Sequence, residues 1–366
     1  MRVSPVRALP LLLALLLPAP APAQKPAAAA TAFPGVWLNA APASQDFLDL
    51  FRRPELWARA RPRIQVLHFS PLQVDGGHGQ VANNLADIAA VDAFRKLRAW
   101  GIQIAVGSPA VKEWDCTGGR EETYTVRQIV NVAKAGGTVD WVTMDEPFAA
   151  GTGIQHRSTC RIGMEQTAAE VAAYVQHVAA NPEVLAAGPA PRFVDVEPYP
   201  GADVEQLQQW TKSLEAHGFR PAGFFLDVNI RRAELKPELY GRMAGDLRTL
   251  QNFFRAEHIP FGVVFWPGRG AVGSDAAYYE YTIDWVRFVH RAIGRPDAAV
   301  FSSWVWRCDG HNAGGDLACT KNEPACSPGD PYCGQKSVPI NLPDNDPKVF
   351  SHTRLILESL GILGGP

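Results

Sequence analysis

The stretch VDWVTMDEPF, Val139–Phe148, is a strand-like apolar run that stops at two adjacent carboxylates and a proline. Runs of the same kind recur along the chain. Short β-branched or aromatic segments stand at VWLNA (36–40), RIQVLHFSP (63–71) and IQIAVGSP (102–109) before it. RFVDVEPYP (192–200), GFFLDVN (223–229), FGVVFWPG (261–268) and AVFSSWVW (299–306) follow it. Between them, AEVAAYVQHVAA (169–180), VEQLQQWTKSLEAHG (204–218), MAGDLRTLQNFFRAEH (243–258) and YTIDWVRFVHRAIG (281–294) place apolar residues at three- and four-residue steps, the period of a helix with one buried face. Gly218, Pro260 and Gly294 punctuate the passage from helix to next strand. Eight strands alternating with helices, the last at VFSHTRLILESLGIL (349–363), predict a single α/β domain, a (β/α)8 TIM-type barrel. A doubly wound open sheet is the runner-up. The strand count favours the barrel, and the first strand lacks the glycine-rich turn of a dinucleotide site.

Composition bounds the rest. With 35 Lys+Arg against 37 Asp+Glu, the chain has no basic field for nucleic acid or an anionic membrane surface. Arg2 and Arg7, the apolar run Leu9–Leu17 and the small residues Ala21-Pro22-Ala23 predict a signal peptide over 1–23. A Pro/Ala-rich tether over 24–34 then leads into the barrel over 35–366. No later run approaches the roughly 20 apolar residues of a membrane span. The expectation is a secreted or periplasmic monomer, off the membrane after signal cleavage. The six cysteines, an even number in an exported chain, point to disulfides.

Barrels of this class do their chemistry at the C-terminal ends of the strands. Those ends carry Asn39, His68, Asp145 and Glu146, Glu197 and Tyr199, Asp227 and Asn229, Trp266 and Arg269, and Trp304 and Trp306, whereas the strand starts are blander. Residues two apart on a strand share a face, so Asp195 and Glu197 point one way, as do Asp227 and Asn229. Pro147 ends the fourth strand and allows a bulge that aims both Asp145 and Glu146 inward. Paired carboxylates across a cleft are what glycoside hydrolysis requires: one protonates the leaving oxygen, the other attacks or activates water. The tryptophans offer flat apolar faces to sugar rings. Trp37, Trp57, Trp141, Trp210 and Trp285, at strand starts or on helices, are read as core.

The fourth-strand Asp145-Glu146-Pro147 resembles the Asn-Glu-Pro of the large (β/α)8 glycoside hydrolases, whose acid/base glutamate stands there; the final SSWVW is similar to their last strand. The seventh strand, GVVFWPGRG, carries no counterpart of their nucleophilic glutamate. The adjacent Asp-Glu also resembles that of substrate-assisted hexosaminidases, in which the aspartate orients an acetamido group. The resemblance covers the mature chain at fold level on a three-residue motif. It implies a glycoside hydrolase acting on a poly- or oligosaccharide with Glu146 as general acid; the strand-end carboxylates Glu197 and Asp227, on the next two strands, are read as candidates for the nucleophile or base. Asp145 supports Glu146. Asn39, His68, Tyr199, Asn229, Trp266, Arg269, Trp304 and Trp306 would line the substrate cleft.

Structural alternatives stand beside these roles. Glu197 would instead pair with Arg192 or Arg220, Asp227 would cap its turn, and His68 would be a hydrogen-bonded wall residue; His78 is a further rim candidate. The missing strand-seven glutamate supports a non-catalytic carbohydrate-binding barrel as the alternative function. Cys116 and Cys160 follow neighbouring strands and are expected to pair. Cys308, Cys319, Cys326 and Cys333, with gaps of ten, six and six residues, read as two disulfides of open connectivity rather than zinc ligands. No catalytic metal or cofactor is expected; Asp309, Asn312 and Asp316 would be the donors of a structural calcium.

Overall fold

The computed structural model describes residues 33–40, 44, 46–76, 83–112, 114–154, 159–234, 236–268, 275–303 and 340–364. Eight parallel strands, β1 (Val36–Asn39), β2 (Val66–Phe69), β3 (Gln103–Ser108), β4 (Val139–Asp145), β5 (Arg192–Tyr199), β6 (Gly223–Val228), β7 (Phe261–Phe265) and β8 (Ala298–Ser302), form a closed barrel in sequence order. Closure is made by β8 against β1, with Trp37 opposite Val300 and Asn39 opposite Ser302. The chain is therefore a (β/α)8 barrel, and each of the eight runs read from the sequence is one of its strands.

The α-helices among the described residues are α1 (Asp49–Arg52), α2 (Pro71–Val74), α3 (Leu85–Ala90), α4 (Ala93–Ala99), α5 (Gly119–Lys134), α6 (Pro147–Thr152) and α7 (Met164–Ala180). After them come α8 (Pro182–Ala187), α9 (Val204–Ala216), α10 (Ile230–Glu234), α11 (Pro237–Ala256), α12 (Asp275–Ile293) and α13 (His352–Ile362). Each long helix turns one apolar stripe to the sheet, as in α9, where Leu207, Trp210, Thr211 and Leu214 are buried at three- and four-residue steps. None of these helices is long and apolar enough to cross a membrane.

Strand residues alternate between two cores, since successive side chains leave a strand on opposite faces. Trp37, Val66, Ala105, Trp141, Val194, Phe225, Val264, Trp266, Ala298 and Val300 pack together inside the barrel, with Val196 against them. The other parity, including Leu38, Leu67, Val142, Phe193, Leu226, Val263 and Phe301, joins the larger core under the helices. With both faces buried, the strands read as near-continuous apolar runs. The barrel floor is aromatic: Trp37 lies 4.9 Å from Phe225 and 5.3 Å from Trp141, each edge to face. Phe33, within the Pro/Ala-rich approach to the barrel, belongs to this floor, 5.2 Å from Trp141. Trp57, Trp210 and Trp285 are buried, as is Trp37 with Trp141.

Candidate functional site

Above the floor the interior turns polar. On the inward parity, Asn39 follows Trp37, His68 follows Val66, Thr143 and Asp145 follow Trp141, Asp227 follows Phe225, Trp266 follows Val264 and Ser302 follows Val300. All stand toward the C-terminal ends of their strands. Asn39 Nδ2 donates to Ser302 Oγ at 3.2 Å across the β1–β8 seam. His68 Nε2 lies 2.7 Å from Thr143 Oγ1 and is fully buried; burial holds its imidazole down to about 4, outweighing the opposing pull of Asp145, so the ring is neutral at ordinary pH. Its Nδ1 has no partner among the described residues. Trp266 Nε1 donates to Asp227 Oδ1 at 2.6 Å, which fixes this carboxylate against the indole edge.

The carboxylates at the end of β4 are built differently from each other. Asp145 is the last strand residue and keeps the inward parity. Glu146 leaves the strand through a left-handed backbone conformation, φ 57° and ψ 42°, and is the residue before the first turn of α6. The bulge expected from Pro147 is thus a single left-handed residue. For a residue with a side chain this region costs about 1–2 kcal/mol, and such outliers gather at functional sites. Glycine is the residue that adopts it without that cost. Glu146→Gly is therefore expected to raise unfolding free energy by up to about 1 kcal/mol while removing the carboxylate, which urea titration would read. A loss of stability instead would show that Glu146's contacts outweigh its strain.

The cation of the site is a residue the sequence reading passed over. Lys112, in the loop after β3, is buried, and its ammonium donates to Asp145 Oδ2 at 2.9 Å and to the Asp145 carbonyl at 2.8 Å. It also lies 3.7 Å from Glu146 Oε2. Lys112 and Asp145 are 33 residues apart, and only the adjacency of β3 and β4 brings them together. Their loop is well braced. Lys112 and Asp115 exchange backbone hydrogen bonds at 3.1 and 2.9 Å, and Asp115 accepts from the backbone N–H groups of Thr117, Arg120 and Glu121.

Cys116 and Cys160 form the expected disulfide, tying this loop to the segment after α6. Its 44-residue separation corresponds to about 4 kcal/mol of unfolded-chain entropy. Cys160 Sγ rests 3.3 Å from the Lys112 carbonyl oxygen. A disulfide sulfur has no proton to donate, so this is a packing contact rather than a hydrogen bond. The same loop presents Trp114, 48% exposed, with its Nε1 donating to Glu121 Oε1 at 2.7 Å. Burial raises the Glu121 carboxyl above its usual range, and that indole bond works against the rise.

Two of the expected site residues do not reach the barrel mouth. Glu197 and Tyr199 share the parity of Phe193, which faces the helices, while Val194 and Val196 hold the interior. Glu197 is completely buried behind the wall, where Oε1 accepts from Phe148 N at 2.7 Å and Oε2 from Ala149 N at 3.3 Å. It pairs with neither arginine proposed for it: Arg192 lies over the Trp141 ring at 3.5 Å, and Arg220 pairs with Glu215. Burial first, then Asp195, push the Glu197 carboxyl well above the ordinary carboxylate range. Asp195, also buried, accepts from Trp210 Nε1 at 2.8 Å, and burial raises it to about 7. Tyr199 donates its hydroxyl to Asp246 on α11 at 2.5 Å. The reason is common to both corrections: the spacing rule fixes that these side chains share a face, and β5 turns that face outward.

Asn229 lies just past β6, where its backbone N–H donates to Tyr199 O at 3.0 Å and its carbonyl accepts from Ala233 N at 3.2 Å. His78, Arg269, Trp304, Trp306, Cys308, Cys319, Cys326, Cys333 and the calcium candidates Asp309, Asn312 and Asp316 lie outside the described residues. The signal-peptide stretch, 1–23, lies outside them as well. Among the described residues, no group of three or more His, Cys, Asp or Glu is arranged to hold a metal ion.

No protein-family model matches the chain, and no curated protein matches it. Solved structures that it resembles include a glucosidase from Croceicoccus marinus, at 13% identity and a TM-score of 0.45, over 76% of this chain and 61% of that one. A thermostable mutant of a xylanase from Cellvibrio japonicus is similar at 12% identity and a TM-score of 0.44, over 74% and 86%. So is a dihydropteroate synthetase, at 10% identity and a TM-score of 0.39, over 74% and 87%. The chain spans only 61% of the glucosidase's length.

Proposed function

We propose that this chain is an exported glycoside hydrolase that cleaves a poly- or oligosaccharide. Glu146 is the proton donor and Asp227 the opposing carboxylate. The observation that carries the reading is the backbone of Glu146: a carboxylate held at a strained left-handed position on the working face of a barrel, beside a buried lysine. Asn83, Asp92, Ala110 and His258 also hold left-handed backbones, and what sets Glu146 apart is that its strained carboxylate stands at a strand end beside a buried lysine. Lys112 lies 2.9 Å from Asp145 and 3.7 Å from Glu146, so Asp145 is the nearer counter-ion of the ammonium.

In the reaction, Glu146 gives its proton to the glycosidic oxygen as the bond to the anomeric carbon breaks. Asp227, on the inward face two strands away, either attacks that carbon or takes a proton from the attacking water. The indole of Trp266 fixes its orientation. Carboxyl groups about 5–5.5 Å apart give retention and about 6.5–9.5 Å give inversion, so the anomer released first reports which step Asp227 performs. Export is supported by the n-region, apolar run and small-residue site at the start of the chain, and by the disulfide.

The competing reading is a carbohydrate-binding barrel without turnover. It draws on the outward position of Glu197 and on β7, which ends at Phe265 and runs on into Trp266-Pro267 without a carboxylate. The purified mature protein incubated with a panel of β-glucan, xylan, mannan, chitin and α-glucan separates the two. Release of reducing ends from one of them, with a defined anomer by NMR, is the expected outcome. Retention of a glycan on affinity electrophoresis with no release from any would sink the hydrolase.

A further inference from the structure

The first turn of α6 has its cap supplied from elsewhere. An N-cap side chain ordinarily accepts from the backbone N–H of the second or third helical residue. Asn84, Asp203 and Ser351 do this for α3, α9 and α13. At α6 the N-cap is Glu146, and its carboxylate makes no such bond. The two N–H groups it would have satisfied, those of Phe148 and Ala149, are taken by the two oxygens of Glu197 on the neighbouring strand. The same strand also holds the turn from its backbone, since Glu146 N donates to Val196 O at 2.8 Å.

We infer that Glu197 is a positioning residue for Glu146: it takes over the helix cap from behind the barrel wall, so that the Glu146 carboxylate is directed to Lys112 and the mouth. The inference rests on the proposed role of Glu146 as proton donor. Glu197 is completely buried on the outer face and touches no substrate. Its role is geometric. Without an acceptor behind the turn, Phe148 and Ala149 N–H would be buried and unpaired, and the side chain that ordinarily caps such a turn is that of the N-cap residue, here Glu146. Turning Glu146 back to cap its own helix withdraws the carboxylate from the mouth. A displacement of about 1 Å at a reacting group is worth about 100-fold in rate. Asp195, one pleat earlier on the same face, is an internal control: it is equally buried, but its hydrogen bond goes to Trp210 on α9.

The test compares Glu197→Met, Glu197→Gln and Asp195→Asn with wild type on the polysaccharide the wild type cleaves, together with a crystal structure of Glu197→Met. Methionine fills the space without an acceptor; glutamine keeps the oxygen that faces Phe148. The expected result is a loss of kcat of about 100-fold in Glu197→Met with KM changed by less than about 3-fold, and recovery to within about 3-fold of wild type in Glu197→Gln. Asp195→Asn should leave kcat unchanged, and Glu146 should leave its left-handed conformation in the Met variant. Unchanged kcat in a folded Glu197→Met protein would overturn the inference. So would losses in all three variants that track their loss of stability. If wild type cleaves no glycan, the proton-donor reading fails by itself. The crystal structure still decides the positioning, which is refuted if Glu146 stays left-handed against Lys112. Should Glu197→Met not fold, Glu197→Asp, whose carboxylate falls one methylene short of α6, takes its place in both measurements.

Discussion

Glu146→Gln is expected to lower kcat by about 100- to 10,000-fold, the range for loss of a positioned general acid, with little change in KM. Glutamine has the shape of glutamate, pays the same cost at φ 57°, and leaves Asp145 as the counter-ion of Lys112 at 2.9 Å. What it removes is the transferable proton. A substrate whose leaving group needs no proton then distinguishes chemistry from damage. On an aryl glycoside with a strongly acidic phenol, Glu146→Gln should recover most of its bond-cleavage rate, whereas Asp227→Asn should remain slow on both substrates. Equal losses on the aryl glycoside and the polysaccharide would deny Glu146 the donor role, and full activity on both would remove it from the mechanism.

The architecture was legible because a parallel barrel needs apolar runs at every strand and amphipathic helices between them, and both periods survive in the sequence. The face of β5 was not. VDVEP offers valines at 194 and 196 and acids at 195 and 197, and in an outward-solvated sheet the acids would face the water. In a closed barrel both faces are buried, so alternation identifies two sets without saying which lies inside. The discriminating signal was available one step further out: Phe193 and Tyr199 share the parity of the acids, and two large aromatics are better accommodated under helices than in a barrel already floored by Trp37, Trp141 and Phe225. Lys112 was hidden for another reason. Its partners are 33 residues away, and nothing local in a loop lysine says which neighbouring strand end it will meet. Glu146 drew notice because Asp-Glu-Pro ends a strand abruptly, and the structure shows that this ending is made by a left-handed residue.

The outward acids and two buried histidines give stability a pH dependence whose parts oppose each other. His68 and His352 are neutral in the fold, held down to about 4 and about 3 by burial, while in the unfolded chain they protonate near 6.5. The unfolded state therefore binds more protons between those values, and each histidine removes about 1.4 kcal/mol of stability per pH unit as pH falls below 6.5. Asp195 and Glu197 act with the other sign. Burial keeps them protonated in the fold, Asp195 up to about 7, while the unfolded chain ionises them near 4. Each removes a similar amount per unit as pH rises from there, and Glu121 and Asp140, raised in the same sense, add to it. Between about pH 4.5 and 6.5 the acids therefore work against the histidines. Above about 7 the histidines and Asp195 no longer contribute. Single substitutions unbalance the sum. His352→Leu removes a ring with neither nitrogen partnered among the described residues, and its stability relative to wild type should be about 2 kcal/mol more favourable at pH 5 than at pH 7.5. Asp195→Asn should behave oppositely, gaining about 4 kcal/mol relative to wild type between pH 4 and pH 7.5. Urea unfolding of the three proteins at those pH values measures both. A pH-independent difference for His352→Leu would mean the imidazole titrates normally in the fold, and one for Asp195→Asn would mean the acid behind β5 is ionised.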